Sequence, residues 1–467
     1  MLLNWEKVFE KIKVPEKVVI VGYGKSGYGI AKLLKNELKK VDIVVTDKSN
    51  LKFPEVKEIN YLLGEHSPKI LDNTSWIIKS PGVPLNLDFF KFAKEKRIPI
   101  IGDLDLAFGL LPEGINTIGV TGTNGKTTVT EWIGFGFNIA NMPYYVAGNV
   151  GTPLSEIIYN ITPGSNLVLE LSSYQIENSI FLKPKIAMIT NLTPDHIDRY
   201  KNIKNYFNSK IHLFENQEIG YSIYNKDDPY LEKHIKNLKF KTKLLSISKG
   251  KDFSIAGIIN NEIVVKDGSD LVKIIKLSDI SLKGDHNNEN ALFVASSLYL
   301  SSVKPRYIEK TLSAFSGVEH RQEKFYSDKG VEWINDSKST NPESTVVALK
   351  TWGMNKNLIL ILGGRDKNTS LVDLVNLADR TCKAVVLFGE AKDRFLEHFK
   401  NISNVFVLDC FDDVIAKSFE LAQPNSVVLF SPACASFDMF ANFEERGRIF
   451  KAKVMEKIKR DELINKE

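Results

Sequence analysis

The chain has 467 residues, 43% of them hydrophobic, and 62 Lys and Arg against 57 Asp and Glu leave a net charge of +5. That length suits about three domains of ~150 residues, and so mild a basic excess, with no dense basic run interleaved with aromatics, gives no reason to expect nucleic acid as a partner. No stretch reaches the ~18 apolar residues of a membrane span, the opening residues lack the pattern of a secretory signal, and Cys382, Cys410 and Cys434 form no C-x-x-C pair, so a reducing cytoplasm without disulfide or zinc site is expected.

Elements alternate from the start. Lys17-Val18-Val19-Ile20-Val21 reads as a strand, followed by a glycine turn and a helix to about Asn36. Strands are expected at 41–45, 76–78 and 98–101, which makes a small parallel α/β unit ending near Gly102-Asp103. A second segment, to about Gly317, has buried strands at 167–170 and 186–189. From about 250 to 283 it changes to an alternating β pattern with Asn260-Asn261 as a hairpin turn, read as an antiparallel addition. The third segment shows strands at 357–362, 384–388, 405–408 and 427–430 with helices between. The Lys/Glu-rich tail after Phe450 reads as a solvated helix end.

The most informative run is Thr121-Gly122-Thr123-Asn124-Gly125-Lys126-Thr127-Thr128. It stands between a strand, 117–120, and the start of a helix. Backbone N–H groups of such a turn face phosphate oxygens, a Lys reaches the terminal phosphates and a hydroxyl can ligate Mg²⁺. The position five residues before Gly125 is Val120 rather than Gly, which argues against an ordinary P-loop kinase or GTPase.

Other constellations lie at strand ends. Gly22-x-Gly24-x-x-Gly27 with Asp47 at the next strand end fits a dinucleotide or UDP turn, a glycine-rich turn of any α/β domain being the competing reading. Glu170, in Leu169-Glu170-Leu171-Ser172-Ser173, is either a Mg²⁺ ligand beside Thr127 or a strand-end acid paired with Lys or Arg. His196, in Thr193-Pro194-Asp195-His196, touches a metal or phosphate or is a satisfied structural His. Asn287 and Asn290, three apart at a helix start, read a purine edge or serve capping. In the third segment the clusters around Arg321, around Asp336 and Lys338, at Gly363-Gly364-Arg365-Asp366-Lys367 and at 431–438 follow strands, where open α/β sheets bind ligands.

Taken together, TGTNGKTT, LELSSYQIE, NLTPDHIDRY, WINDSKSTNPEST and SPACASFDMFANFEERG resemble the Mur ligase family, the ATP-dependent amide-bond ligases of peptidoglycan precursor synthesis. The last four point to its D-glutamate-adding branch, and the Asp-Asn-Pro-Arg motif of the diaminopimelate- and lysine-adding branches is absent. The resemblance covers nearly the whole chain. It implies an α/β protein of three domains: a Rossmann-like UDP-substrate domain, 1–103; a central P-loop-type ATPase domain with a mixed sheet, 104–317; and a Rossmann-like amino-acid-binding domain, 318–467.

The resemblance also implies roles. Gly122, Thr123, Asn124, Gly125, Lys126, Thr127 and Thr128 would hold ATP, with Asn287, Asn290, Arg321, Asp336 and Lys338 lining the same site. Thr127, Glu170, His196 and Lys210, the last as a carbamate, would serve two Mg²⁺ ions. Lys126, His196 and Lys210 would be catalytic. Gly24, Ser26, Asp47, Ser80, Gly82, Asn149 and His196 would lie along the UDP substrate, and Thr340, Lys367, Ser436 and Phe443 would hold D-glutamate. The implied reaction activates the carboxylate of UDP-N-acetylmuramoyl-L-alanine as an acyl phosphate, which the D-glutamate amine attacks. A cytoplasmic monomer is expected. The competing readings are a sister Mur ligase, a folylpolyglutamate synthase-like ligase, and, from the first glycine turn alone, a NAD-binding oxidoreductase.

Overall fold

Runs of Val, Ile and Leu too short for helices become strands buried on both faces, as parallel sheets require. The computed structural model describes residues 3–49, 53–149, 151–354, 356–366, 369–400 and 402–464. It contains three sheets, each dominated by parallel pairs. The chain divides into two compact units, 1–280 with 285–314, and 281–284 with 315–467.

The first unit holds two sheets. One is five-stranded and parallel, in the order Asn60–Leu63, Asp42–Asp47, Lys17–Val21, Trp76–Lys79, Ile100–Gly102. Its strands send alternate residues to opposite faces: Val18 and Ile20 join one core with Trp76 and Ile78, while Val19 and Val21 join another with Ile77, Phe89 and Phe90.

The second sheet has nine strands, ordered Asp270–Lys276, Glu262–Asp267, Ala256–Ile259, Lys243–Ser248, Tyr221–Asn225, Ile186–Ile189, Asn116–Thr121, Asn166–Glu170, Tyr144–Gly148. Pairing is parallel except at the first two contacts of that order, which are antiparallel. Asn260 and Asn261 make the expected hairpin turn with φ of 52° and 60°, the left-handed pair that suits the twist of a hairpin. Three strands, Ile186–Ile189, Asn116–Thr121 and Asn166–Glu170, lie side by side, so the loops at their carboxyl ends open on one edge.

The second unit carries a six-stranded sheet in the order Glu323–Asp328, Val331–Asn335, Val427–Phe430, Leu358–Gly363, Cys382–Phe388, Val405–Val407. Only the Glu323–Asp328 strand is antiparallel. Leu358, Leu360 and Leu362 pack on one side, Ile359 and Ile361 on the other. The closing helix, Phe443–Ile464, is not simply solvated: Phe450 and Val454 are fully buried against this sheet. Among the described residues no helix is long and apolar enough to cross a membrane.

Candidate active site

The phosphate loop leaves the Asn116–Thr121 strand and ends on Gly125, which precedes the helix Lys126–Ile139. Two of its glycines are required by geometry. Gly122 has φ 148°, and a Cβ there would stand 2.0 Å from Thr190 Oγ1; Gly125 has φ 82°, and a Cβ there would stand 2.6 Å from Asn290 Oδ1. A side chain at either position would meet both backbone strain and a neighbour.

The neighbouring strand end holds the loop in shape. Thr190 Oγ1 donates to Asn124 O at 2.6 Å, and Asn191 closes a pair with Asn124, accepting its N–H at 2.9 Å and donating Nδ2 to its carbonyl at 3.1 Å. Thr123 N donates to Asn191 O at 3.0 Å. Thr190 and Asn191 therefore belong to the site, and sequence reasoning missed that role; their position right after a buried strand, opposite the loop, was the available signal. On the other side Asn290 is buried, and its Nδ2 donates to Asn287 Oδ1 at 3.0 Å. The two amides do share one helix face, with Asn290 set against Gly125.

Lys126 folds back on its own loop, donating to Gly122 O at 3.0 Å and Thr123 O at 2.8 Å. Lys210, on the helix Ile203–Asn216, is 1% exposed and donates to Gly122 O at 2.8 Å and Thr121 Oγ1 at 3.3 Å. Its ammonium sits 4.6 Å from the centre of the Tyr206 ring. Burial, and then the charge of Lys126, pull its pKa well below the usual lysine value, against the smaller pull of Asp195.

Glu170 ends the strand beside the loop and is 3% exposed. Asn149 Nδ2 donates to its Oε1 at 3.0 Å, while Oε2 is buried with no hydrogen-bond partner among the described residues. The strand-end ion pair weighed from sequence has no Lys or Arg to make it among the described residues. A buried carboxylate oxygen without a donor suits a hard divalent cation, and Thr127, also buried, supplies a hydroxyl at the adjacent helix start. The donor set fits Mg²⁺.

His196 has φ 51° and is about half exposed, with Asp195 Oδ2 3.5 Å from its Nε2. Its ring lies 5.1 Å from that of Tyr174 and 6.2 Å from that of Tyr206. That exposure separates it from a satisfied core His and leaves an edge open to a ligand.

At the five-stranded sheet, Gly22 has φ 93°, and a Cβ at Gly27 would meet Gly22 O at 2.1 Å, which fits the tight turn and close helix packing expected. Gly24 and Gly82 have open space above them. Ser80 is buried and its Oγ donates to Gly22 O at 2.9 Å, tying the first turn to the Ser80–Gly82 loop. Asp47 is occupied locally: Tyr23 N donates to Oδ2 at 2.7 Å, and Ser49 N and Oγ donate to Oδ1 at 2.9 Å each. These hydrogen bonds outweigh burial, its largest single influence, and hold its pKa below the usual value. Burial raises the pKa of Asp103 against a smaller lowering by the Ser26 hydroxyl, and Asp103 Oδ2 is buried and unpartnered among the described residues. Lys79, unremarked in the sequence, is 5% exposed and donates to Ser80 O and Val83 O at 3.2 Å each.

The second unit has its own cluster. Asp336 is 2% exposed and accepts from Gln322 N at 3.1 Å, Ser339 Oγ at 2.5 Å and Ser431 Oγ at 2.7 Å. Burial nevertheless raises its pKa to about 6. Lys338 Nζ stands 4.0 Å from the centre of the Phe443 ring. Arg321 N donates to Val318 O at 3.0 Å in a tight turn. Thr340 precedes Asn341, which caps the helix Pro342–Trp352 by accepting from Ser344 N at 2.8 Å. Ser436 is 2% exposed, and its carbonyl accepts from Phe440 N at 2.9 Å. Lys367 lies outside the described residues.

Comparison with known proteins agrees with this geometry. Residues 16–102 match the Mur ligase MurD-like N-terminal domain, residues 120–298 the Mur ligase middle domain, and residues 320–434 the Mur ligase glutamate ligase domain. UDP-N-acetylmuramoylalanine--D-glutamate ligase of Caldanaerobacter subterraneus subsp. tengcongensis is 37% identical over 456 residues, covering 94% of this chain and 98% of that protein. The chain belongs to the Mur ligase family. The Clostridioides difficile protein of the same name is 36% identical to this Mur ligase over 451 residues, with the same coverage. Among solved structures, UDP-N-acetylmuramate-alanine ligase MurC of Thermotoga maritima aligns with a TM-score of 0.57 at 18% identity, over 94% of this chain and 99% of that one. The MurF ligase of Thermotoga maritima, solved in complex with ADP, aligns with a TM-score of 0.55 at 15% identity, over 96% and 97%. These two show the shared three-domain fold. Membership also separates the chain from the oxidoreductase reading of its first glycine turn.

Proposed function

We propose that this Mur ligase joins D-glutamate to UDP-N-acetylmuramoyl-L-alanine with cleavage of ATP to ADP and phosphate, as a cytoplasmic monomer. Residues 1–103 would bind the UDP substrate, 104–317 ATP, and 318–467 the amino acid. The observation that carries the reading is the convergence of Lys126, Lys210 and Glu170 Oε2, unpartnered among the described residues, at one sheet edge, in a chain 37% identical over 456 residues to a D-glutamate ligase.

A carboxylate does not react with an amine at neutral pH. Its oxygen attacks the terminal phosphorus of ATP, ADP leaves, and the resulting acyl phosphate has a good leaving group. The D-glutamate amine then attacks the acyl carbon, loses a proton and expels phosphate, forming the amide. Loop N–H groups and Lys126 hold the transferring phosphoryl group and offset its charge. Thr127 and Glu170 would hold Mg²⁺, which supplies further neutralisation of phosphate charge. Lys210 as a carbamate would add an anion beside Lys126, and its lowered pKa supports this, since CO₂ adds only to the neutral amine. His196 would hold the second metal or the substrate phosphate. Thr340, Ser436, Phe443 and Lys367 would receive D-glutamate, while Arg321, Asp336, Lys338, Asn287 and Asn290 would complete the nucleotide site.

The test is phosphate release from ATP with UDP-N-acetylmuramoyl-L-alanine and D-glutamate, L-glutamate or neither. Release with a mass-confirmed amide only for D-glutamate is expected. Binding of ATP and the UDP substrate without turnover on either glutamate would overturn the reading in favour of a sister ligase.

A further inference from the structure

Arg446 is a fully buried arginine in the first turn of the closing helix Phe443–Ile464, a helix otherwise rich in exposed charge. Its guanidinium donates in three directions: Nε to Ser337 Oγ at 3.0 Å, Nη2 to Ser337 O at 2.7 Å, and Nη1 to Cys434 O at 3.0 Å. Ser337 Oγ in turn donates to Phe443 O at 2.8 Å, returning to the helix that carries Arg446. The packing leaves no slack. A Cβ at Gly364 would come 3.1 Å from Arg446 Nη1 and 2.3 Å from Ala435 O, and one at Gly447 would come 2.2 Å from His320 Nδ1. Burial draws the guanidinium down to about 10, which leaves it charged at neutral pH.

Each segment so held carries residues of the proposed site. Ser337 lies between Asp336 and Lys338, Cys434 is two residues before Ser436, and the helix begins at Phe443. We infer that Arg446 is a positioning residue that locks the Asp336–Lys338 loop and the Cys434–Ser436 loop into one frame, so that the ATP-facing and D-glutamate-facing groups of this unit are set together. This rests on the proposed reading of those loops. A planar fork is needed: three donors in fixed directions reach two carbonyls and a hydroxyl at once, and the point charge of a lysine cannot.

The experiment compares KM for each of the three substrates in the full chain and in Arg446→Lys, Ser337→Ala and Ser436→Ala, with thermal midpoints to establish folding. For Arg446→Lys, KM for ATP and for D-glutamate should rise together by about fivefold or more, with KM for the UDP substrate within about twofold of the parent. Ser337→Ala removes one acceptor, the hydroxyl that also bonds Phe443 O, rather than the cation and should shift the same two constants in the same direction. A fall in kcat with all KM values unchanged would reduce Arg446 to a folding role and overturn the inference. So would movement of only one of the two constants, because the loops would then be independent. Ser436→Ala should raise KM for D-glutamate alone. If it does not, the assignment of that loop fails, whereas a Ser436 effect without an Arg446 or Ser337 effect refutes the clamp itself.

Discussion

Lys210 and Lys126 donate to the same carbonyl oxygen, that of Gly122, at 2.8 and 3.0 Å. Burial first, and then repulsion from the Lys126 ammonium, lower the pKa of Lys210 well below the lysine range. CO₂ adds to the neutral amine, and a lowered pKa favours that form. Incubation with ¹³C-bicarbonate near pH 8 should therefore give a carbamate carbonyl resonance that disappears in Lys210→Arg. An identical spectrum for parent and variant would remove the carbamate from the proposal.

Among the described residues Glu170 Oε2 is buried without a donor, which costs free energy. Glu170→Gln removes that charge and keeps the shape. Thermal unfolding without metal should show a midpoint no lower than the parent's. Titration of nucleotide in the presence of Mg²⁺ should show about tenfold weaker binding or worse, since a hard cation loses an anionic ligand. Unchanged Mg²⁺-dependent affinity would argue against Glu170 as a ligand.

Gly125→Ala combines φ 82° with a contact of 2.6 Å to Asn290 Oδ1. The left-handed backbone alone costs an L-residue about 1–2 kcal/mol, and the amide must also move. Nucleotide affinity should drop by about tenfold or more, with a lower thermal midpoint. Adding Asn290→Ala should recover part of the midpoint, because it removes the clash but not the backbone strain. No recovery would place the whole cost in the backbone.

Lys79 connects the five-stranded sheet to its ligand-side loop. Burial first, then the positive charge of Arg199, lower its pKa to about 8 against opposing pulls from Glu177 and Asp103. Between pH 8 and the ordinary value of 10.5 the unfolded chain holds this proton and the folded chain does not, so stability rises with pH there. Across that window the parent should gain about 3 kcal/mol, to order of magnitude, relative to Lys79→Met. Urea midpoints measured at several pH values check this, and parallel pH profiles for the two proteins would show that Lys79 stays charged.

Much of the architecture was legible from the residues. The strands Lys17–Val21, Ile186–Ile189 and Val427–Phe430 have the bounds their apolar runs suggest, because a strand buried on both faces must be apolar throughout. Edge and half-exposed strands were not seen. Asn60–Leu63 is short and largely exposed, and Glu323–Asp328 is mostly polar, so neither has the continuous apolar run of a strand buried on both faces. The phosphate loop was legible because its glycines and Lys126 are contiguous in the chain.

What the sequence by itself determined is the set of short-range devices: the glycine turns, the hairpin at Asn260-Asn261, and the buried apolar strands. Each depends on residues within a few positions of one another. The tertiary structure alone decided that Lys210 meets Gly122 across 88 residues, that Glu170 has a buried oxygen unpartnered among the described residues, and that Arg446 reaches Ser337 across 109. Those facts depend on which side chains the packing removes from water. Removal from water lowers the pKa of Lys210, leaves one oxygen of Glu170 open to a cation, and makes the Arg446 bonds hold, and no local pattern encodes it.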